Sequence, residues 1–178
     1  MTNLIRIAAA AYWCARARTQ FFIRGVRWPR KLSVLGPMGL SARGRISIGD
    51  NVTIINDSKY NRAGISHPTQ LVAGVGAKLS IGSHTGISGA SIYAIKQIDV
   101  GNHVLIGANC HIYDNDFHPM DWKQRRSDGQ PAAAPVKIGD DVWLCANVIV
   151  LKGVSIGPRT VVAAGSVVLN DLLSLIHI

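Results

Sequence analysis

The chain has 178 residues, enough for one domain with a real core. An apolar fraction of 48% with 18 Gly excludes a disordered chain, and all ten acids are Asp, with no Glu, which speaks against a helical bundle. The net charge of +9 is localised: nine Lys and Arg precede the first acid, Asp50, and the remaining ten cations match ten Asp, so residues 50–178 are neutral. No run reaches the roughly 18 to 20 apolar residues of a membrane-spanning helix. Cys14, Cys110 and Cys145 form neither a disulfide framework nor a CxxC pair, which fits a reducing, cytoplasmic setting.

In chain order, residues 3–24 hold no Gly or Pro and predict a helix with basic positions spread through it. Its stretch Ile7 to Ala17, ending Ala15-Arg16-Ala17, has the outline of a secretory core. It is short, however, and cations continue well beyond it, so the reading keeps it in the folded chain. Trp28-Pro29 and Gly36-Pro37-Met38-Gly39 end any helical pattern. Residues 1–45 are read as a basic, partly helical segment in front of the main domain.

A repeat occupies residues 46–170. Leu144, Val150, Ile156, Val162 and Val168 recur at steps of six, each followed four positions later by Val148, Val154, Thr160 or Ser166 where the pattern continues. Shorter copies are Ile48-Gly49 with Ile54, Ile81-Gly82 with Ile87, and Val100-Gly101 with Ile106 and Ile112. A period of six fits neither a helix nor a simple alternating strand. It fits three short strands per triangular coil, with coils stacked at the strand spacing of about 4.8 Å. The aliphatic residue points into the prism, the Gly or Ala beside it is expected to allow the bend, and the small residue four later avoids overfilling. The rule against left-handed crossovers would favour a right-handed coil, and spacing alone does not fix the hand.

Two segments break the period. Residues 56–78 are irregular, with Leu71 and Leu79 as ladder candidates. Residues 114–135 form a polar loop rich in Asp and Pro, where a rigid solenoid is expected to carry function. Within it lies Asp114-Asn115-Asp116-Phe117-His118-Pro119-Met120-Asp121. His118 is the side chain suited to proton transfer near neutral pH. Asp114, Asn115, Asp116 and Asp121 flank it and are the candidates to orient the ring and bind a substrate. The same Asp-x-Asp-x-His spacing admits a metal reading, but it lacks the later acid and Gly of a calcium loop.

His-Pro-Met-Asp, followed some twenty residues later by Ile-Gly-Asp-Asp-Val-Trp, resembles the hexapeptide-repeat acyltransferases. The likeness is to the maltose, galactoside and nodulation sugar O-acetyltransferases, whose motif is His-Pro-Leu-Asp. The resemblance implies an all-β fold, a left-handed parallel β-helix, and His118 as the general base that prepares a sugar hydroxyl to take an acetyl group from acetyl-CoA. It also implies Trp143 beside the pantetheine arm, with Ala146 and Ala164 as backbone contacts. Lys152 and Arg159 are candidates for the CoA phosphates. No metal is implied: the zinc-binding γ-class carbonic anhydrases of the same fold carry two His five apart, and no pair here has that spacing.

The resemblance further implies a homotrimer with sites between subunits. The apolar tail, residues 171–178, departs from the family pattern. The basic N-terminus is more similar to acyltransferases of surface-polysaccharide biosynthesis, which act on lipid-linked or nucleotide-linked sugars at the inner membrane face. Residues 1–31 are accordingly expected either to touch anionic lipid or to cap the first coil. Acetylation of an amino-sugar or antibiotic amine, and a non-enzymatic basic membrane-binding solenoid, are the alternatives. Nucleic-acid binding, for which Phe21-Phe22 and Trp28 are the weak hint, is a minor one.

Overall fold

The protein is described by a computed structural model covering residues 3–127 and 129–175, with backbone alone for residues 3–6. Residues 1–2 and 128, and 176–178 of the expected tail, lie outside the described residues. A helix, α1 (Asn3–Ile23), is followed by coils of three short strands each. The first coil is β1 (Leu32–Leu35), β2 (Gly39–Ala42) and β3 (Arg45–Ile48), and the second is β4 (Val52–Ile55), β5 (Gln70–Ala73) and β6 (Lys78–Ile81). The third is β7 (Gly86–Ser88), β8 (Ser91–Ala94) and β9 (Gln97–Val100). The fourth is β10 (Leu105–Ile106), β11 (His111–Tyr113) and β12 (Val136–Ile138), with α2 (Trp122–Arg126) in the loop between its last two strands. The fifth is β13 (Trp143–Leu144), β14 (Ile149–Val150) and β15 (Ser155–Ile156); β16 (Val161–Val162) and β17 (Val167–Val168) begin the sixth.

Strands three apart pair in parallel, giving three sheets: β1-β4-β7-β10-β13-β16, β2-β5-β8-β11-β14-β17, and β3-β6-β9-β12-β15. This is the left-handed parallel β-helix that the resemblance implies. Register stacks like residues: Ile54, Ile87, Ile106, Leu144 and Val162 form one ladder, and Leu71, Ile92, Ile112, Val150 and Val168 another. Each of these is buried, and Leu71 and Leu79 take the ladder places expected of them. Full burial of one such side chain contributes roughly 1.5–3 kcal/mol, so the one-dimensional ladder is the main stabilising feature.

Two expectations are corrected. The first coil begins at Leu32, not at residue 46: β1 pairs with β4 and β2 with β5, and Val34 and Leu40 carry the six-residue step back from Ile46. The glycine after the ladder residue is not the bending residue. Left-handed backbone falls two positions later, at Asn51, His84, His103, Asp141 and Arg159, between the third and first sheets. The glycines instead permit close stacking: a Cβ on Gly82 would meet Gly101 O at 2.3 Å, and one on Gly139 would meet Pro158 N at 2.7 Å.

α1 lies across the open end of the first coil. It turns Ala17 and Phe21 into the core, with Trp13, Cys14 and Gln20 half-buried beside them. The Val34 N–H donates to Cys14 Sγ at 3.3 Å, and the Phe21 and Trp28 rings meet edge-on at 5.1 Å. The Ile7–Ala17 stretch is thus part of a cap, which solenoids need to close their ladder. At the other end the tail extends the coil: the Leu172 N–H donates to Ser155 O at 3.0 Å, and Asp171 Oδ1 accepts from the Ser155 N–H at 2.7 Å.

Candidate functional site

The prism has three corners. The first, between the first and second sheets, carries the residues 56–69 break; the second, between the second and third sheets, carries the residues 114–135 loop. The predicted residues distribute over both and beyond. His118 and Lys152 sit at the second corner, Ala146 and Ala164 at the first, Trp143 on the first sheet, and Arg159 at the third corner.

His118 is exposed, and the loop is built to present it. Its N–H donates to Asp116 O at 2.7 Å across Phe117, whose φ of 60° is left-handed. That tight turn strains the backbone, at roughly 1–3 kcal/mol. It is held by Asn115 Oδ1, which accepts from the Phe117 N–H at 2.9 Å. The Phe117 ring lies edge-on to Tyr93 at 5.1 Å and to Tyr113 at 4.9 Å. These contacts anchor the turn to the second sheet and fix the direction in which His118 leaves it.

The flanking polar residues are occupied in building the loop. Asp114 is fully buried; its carboxylate accepts from the backbone N–H groups of Ile95, Lys96 and Gln97 at 2.8, 2.7 and 2.7 Å. It therefore clamps the corner of the preceding coil and does not face a ligand, a correction to its expected binding role. Asn115, 4% exposed, is likewise committed to Phe117 and Asp114, and is not free to bind an acceptor. Asp121 is exposed and caps α2, accepting from the Lys123 and Gln124 N–H groups. Asp116 forms an ion pair with Lys152 at 2.8 Å, so Lys152 braces the loop base, which corrects its expected phosphate role within one chain. With Asp114 and Asp116 so engaged, the Asp-x-Asp-x-His spacing does not assemble as a ligand set.

At the first corner, Ala146 and Ala164 stack on successive coils: the Gly165 N–H donates to Ala146 O at 2.9 Å. Ala164 is exposed and Ala146 half-buried, so small side chains there leave backbone groups open to a narrow ligand. Trp143 is 48% exposed on the adjoining sheet. Arg159 is exposed at the corner away from these residues, so a single chain does not bring it to the alanines. The Cys110 thiol is pushed up to about 11 by burial, which keeps it protonated and inert.

Sequence reasoning missed a second group. The rings of His67 and His111 lie 5.6 Å apart, and His111 Nδ1 shares a 2.7 Å hydrogen bond with the Tyr113 hydroxyl. Burial, then the charge of His67, holds His111 below its ordinary value. Burial raises Tyr113. With Tyr93 and Phe117 this group covers the outer face of the second sheet between the two breaks. The ladder held the signal: Ile92 and Ile112 point inward, so Tyr93, His111 and Tyr113 must point outward.

Residues 135–170 match the bacterial transferase hexapeptide (six repeats) family. A galactoside O-acetyltransferase of Lactococcus lactis is 45% identical over 76 residues, 43% of this chain and 36% of that protein. The solved hexapeptide-repeat acetyltransferase of Vibrio cholerae with acetyl-CoA is 35% identical, covers 60% of each chain, and superposes with a TM-score of 0.53. A maltose O-acetyltransferase of Clostridium difficile is 27% identical, covers 74% of this chain and 62% of its own, with a TM-score of 0.52. The chain spans less than half the length of the curated relatives it matches.

Proposed function

We propose that this chain, with the repeat of the hexapeptide transferases, is an acetyl-CoA-dependent O-acetyltransferase acting on a sugar hydroxyl, with His118 as general base. The observation that carries the reading is the strained Phe117 turn, which presents an exposed imidazole at the head of a loop otherwise tied down. Named O-acetyltransferases among the similar proteins support it.

A sugar hydroxyl titrates far above neutral pH and is a weak nucleophile. A His118 ring nitrogen, which no other side chain occupies among the described residues, accepts its proton as the oxygen forms the new ester bond. Acetyl-CoA supplies an activated acetyl thioester, whose carbonyl receives the oxygen's electron pair and whose C–S bond breaks. His118 then gives the proton to the leaving sulfur and returns to its starting form. The open backbone at Ala146 and Ala164, with Trp143 alongside, fits a slender pantetheine arm. In a homotrimer the His118 loop of one subunit meets the Ala146–Ala164 groove and Trp143 of its neighbour, and Arg159 reaches that groove from a different subunit than the alanines. Exposed Leu105, Trp143, Met120 and Trp122 are the apolar surface that such an assembly would cover. The Tyr93–Tyr113–Phe117 wall suits the C–H face of a pyranose, which supports a sugar acceptor such as a polysaccharide or glycolipid precursor.

The test is thiol release from acetyl-CoA with a panel of sugars, with the product identified by mass spectrometry and by lability to mild alkali. An alkali-labile acetyl ester is expected. An alkali-stable amide, or no thiol release with any acceptor, would overturn the reading.

A further inference from the structure

As a cap, α1 needs one apolar stripe, and it has one: Trp13, Cys14, Ala17 and Phe21 recur at three- and four-residue steps and face the first coil, with the Gln20 amide beside them donating to Met38 O. The opposite side of such a helix is ordinarily charged. Here it is not. At 3.6 residues per turn the outward side carries Ala8, Ala11, Tyr12, Ala15, Thr19, Phe22 and Ile23, of which only Thr19 is aliphatic-hydroxyl polar. Phe22 is 85% exposed, Ile23 70% and Tyr12 56%. Arg16 and Arg18 fall on the two flanks of this apolar face, and Arg24 and Arg27 follow at its C-terminal end. All four are exposed, and none forms an ion pair among the described residues. No acid occurs before Asp50, and the exposed Arg30 takes that one.

We propose that the outward face of α1 docks the solenoid on an anionic lipid bilayer, with the helix axis in the plane of the interface. An apolar strip with one arginine on each flank and two more past its C-terminal end matches a bilayer's layering: aromatic and aliphatic groups enter the acyl boundary while guanidinium groups stay with phosphates. Charge selects the occupant. A second copy of this chain would bring like charge against like along the whole face, and a neutral surface would leave the arginines unmatched. The geometry also explains why one helix lacks a water-facing side: one stripe closes the prism and the other enters lipid. No helix among the described residues is long and apolar enough to cross a membrane. The proposal does not depend on the acetyl-transfer reading, because it concerns the capped end of the prism and not the loop that bears His118.

Co-sedimentation of the full chain with phosphatidylglycerol–phosphatidylcholine vesicles tests it, without acetyl-CoA or acceptor. Binding is expected to anionic vesicles, to weaken with salt, and to be absent with phosphatidylcholine alone. Arg16→Gln with Arg18→Gln should lower the partition coefficient about fivefold per cation removed. Phe22→Ser with Ile23→Ser should lower it by at least tenfold. Both side chains of that pair are exposed, so circular dichroism and melting should be unchanged. Chain that stays in the supernatant, binding that either pair of substitutions leaves intact, or a Phe22→Ser/Ile23→Ser variant that changes oligomeric state but not vesicle binding would each overturn the proposal.

Discussion

The two interruptions of the repeat are of similar kind in the sequence and opposite in construction. The residues 56–69 segment is folded back along the first corner and tied to it: the Asn61 amide donates to Ser88 Oγ at 3.0 Å, and Asn109 accepts from Ser66 and donates to Gly64 O at 2.8 Å. Near its C-terminal end, His67 lies against His111. The residues 114–135 segment is clamped at its base, by Asp114, by the Asn115–Ala133 bridge and by Lys152, and at Phe117 against the second sheet, while His118, Met120 and Trp122 stand exposed. A solenoid cannot bend its ladder to make a pocket, so it builds one from what it inserts between coils. The first insertion is folded against the prism, and the second presents His118, the proposed base.

Substitutions can break that distinction. Among effects on stability the largest is expected at Asp114→Ala, which leaves three backbone N–H groups without their acceptor; about 3 kcal/mol or more should be lost, read from urea midpoints. A shift near zero would mean that the loop base is not clamped as described. Lys152→Met is next. It removes the partner of Asp116, whose pair is a third exposed on the lysine side, and should cost about 1 kcal/mol. Because Asp116 O also fixes His118, turnover should fall with KM for acetyl-CoA little changed. Asn61→Ala at the tied-down break should cost about 1 kcal/mol or less and leave turnover with small acceptors intact. A larger loss of turnover than at Lys152 would reverse the roles assigned to the two insertions.

The smallest expected effect is on pH dependence. The folded state holds His111 below its ordinary value of 6.5, so the unfolded chain takes up the proton first as pH falls. The stability due to neutral His111 is therefore complete above that value and declines as pH drops through it. His111→Gln should flatten that part of the profile in denaturant titrations at successive pH values.

Much of this was legible in the sequence. The six-residue step gave the prism, the ladder and the place of the long loop, because a ladder repeats one physical requirement along one axis. The hand came from resemblance. The first coil was masked, although Val34, Leu40 and Ile46 keep the six-residue step and stack on Ile54, Leu71 and Leu79; the Gly36-Pro37-Met38-Gly39 run between the first two breaks the apolar pattern to the eye. The site was half legible. His118 stood out by residue type, but the spacing of acids around it suggested binding groups, whereas Asp114 and Asn115 point inward to hold the turn. Which carboxylates face a ligand depends on the loop's path, and a period carries no information about an insertion.

The most direct measurement is thiol release from acetyl-CoA by the His118→Ala variant beside the unsubstituted chain, with CoA binding followed by calorimetry. Turnover should fall by about 10² to 10⁴ while CoA affinity is kept. Undiminished turnover in that variant would contradict the central claim, that the residues 114–135 insertion exists to hold one imidazole at the acceptor hydroxyl.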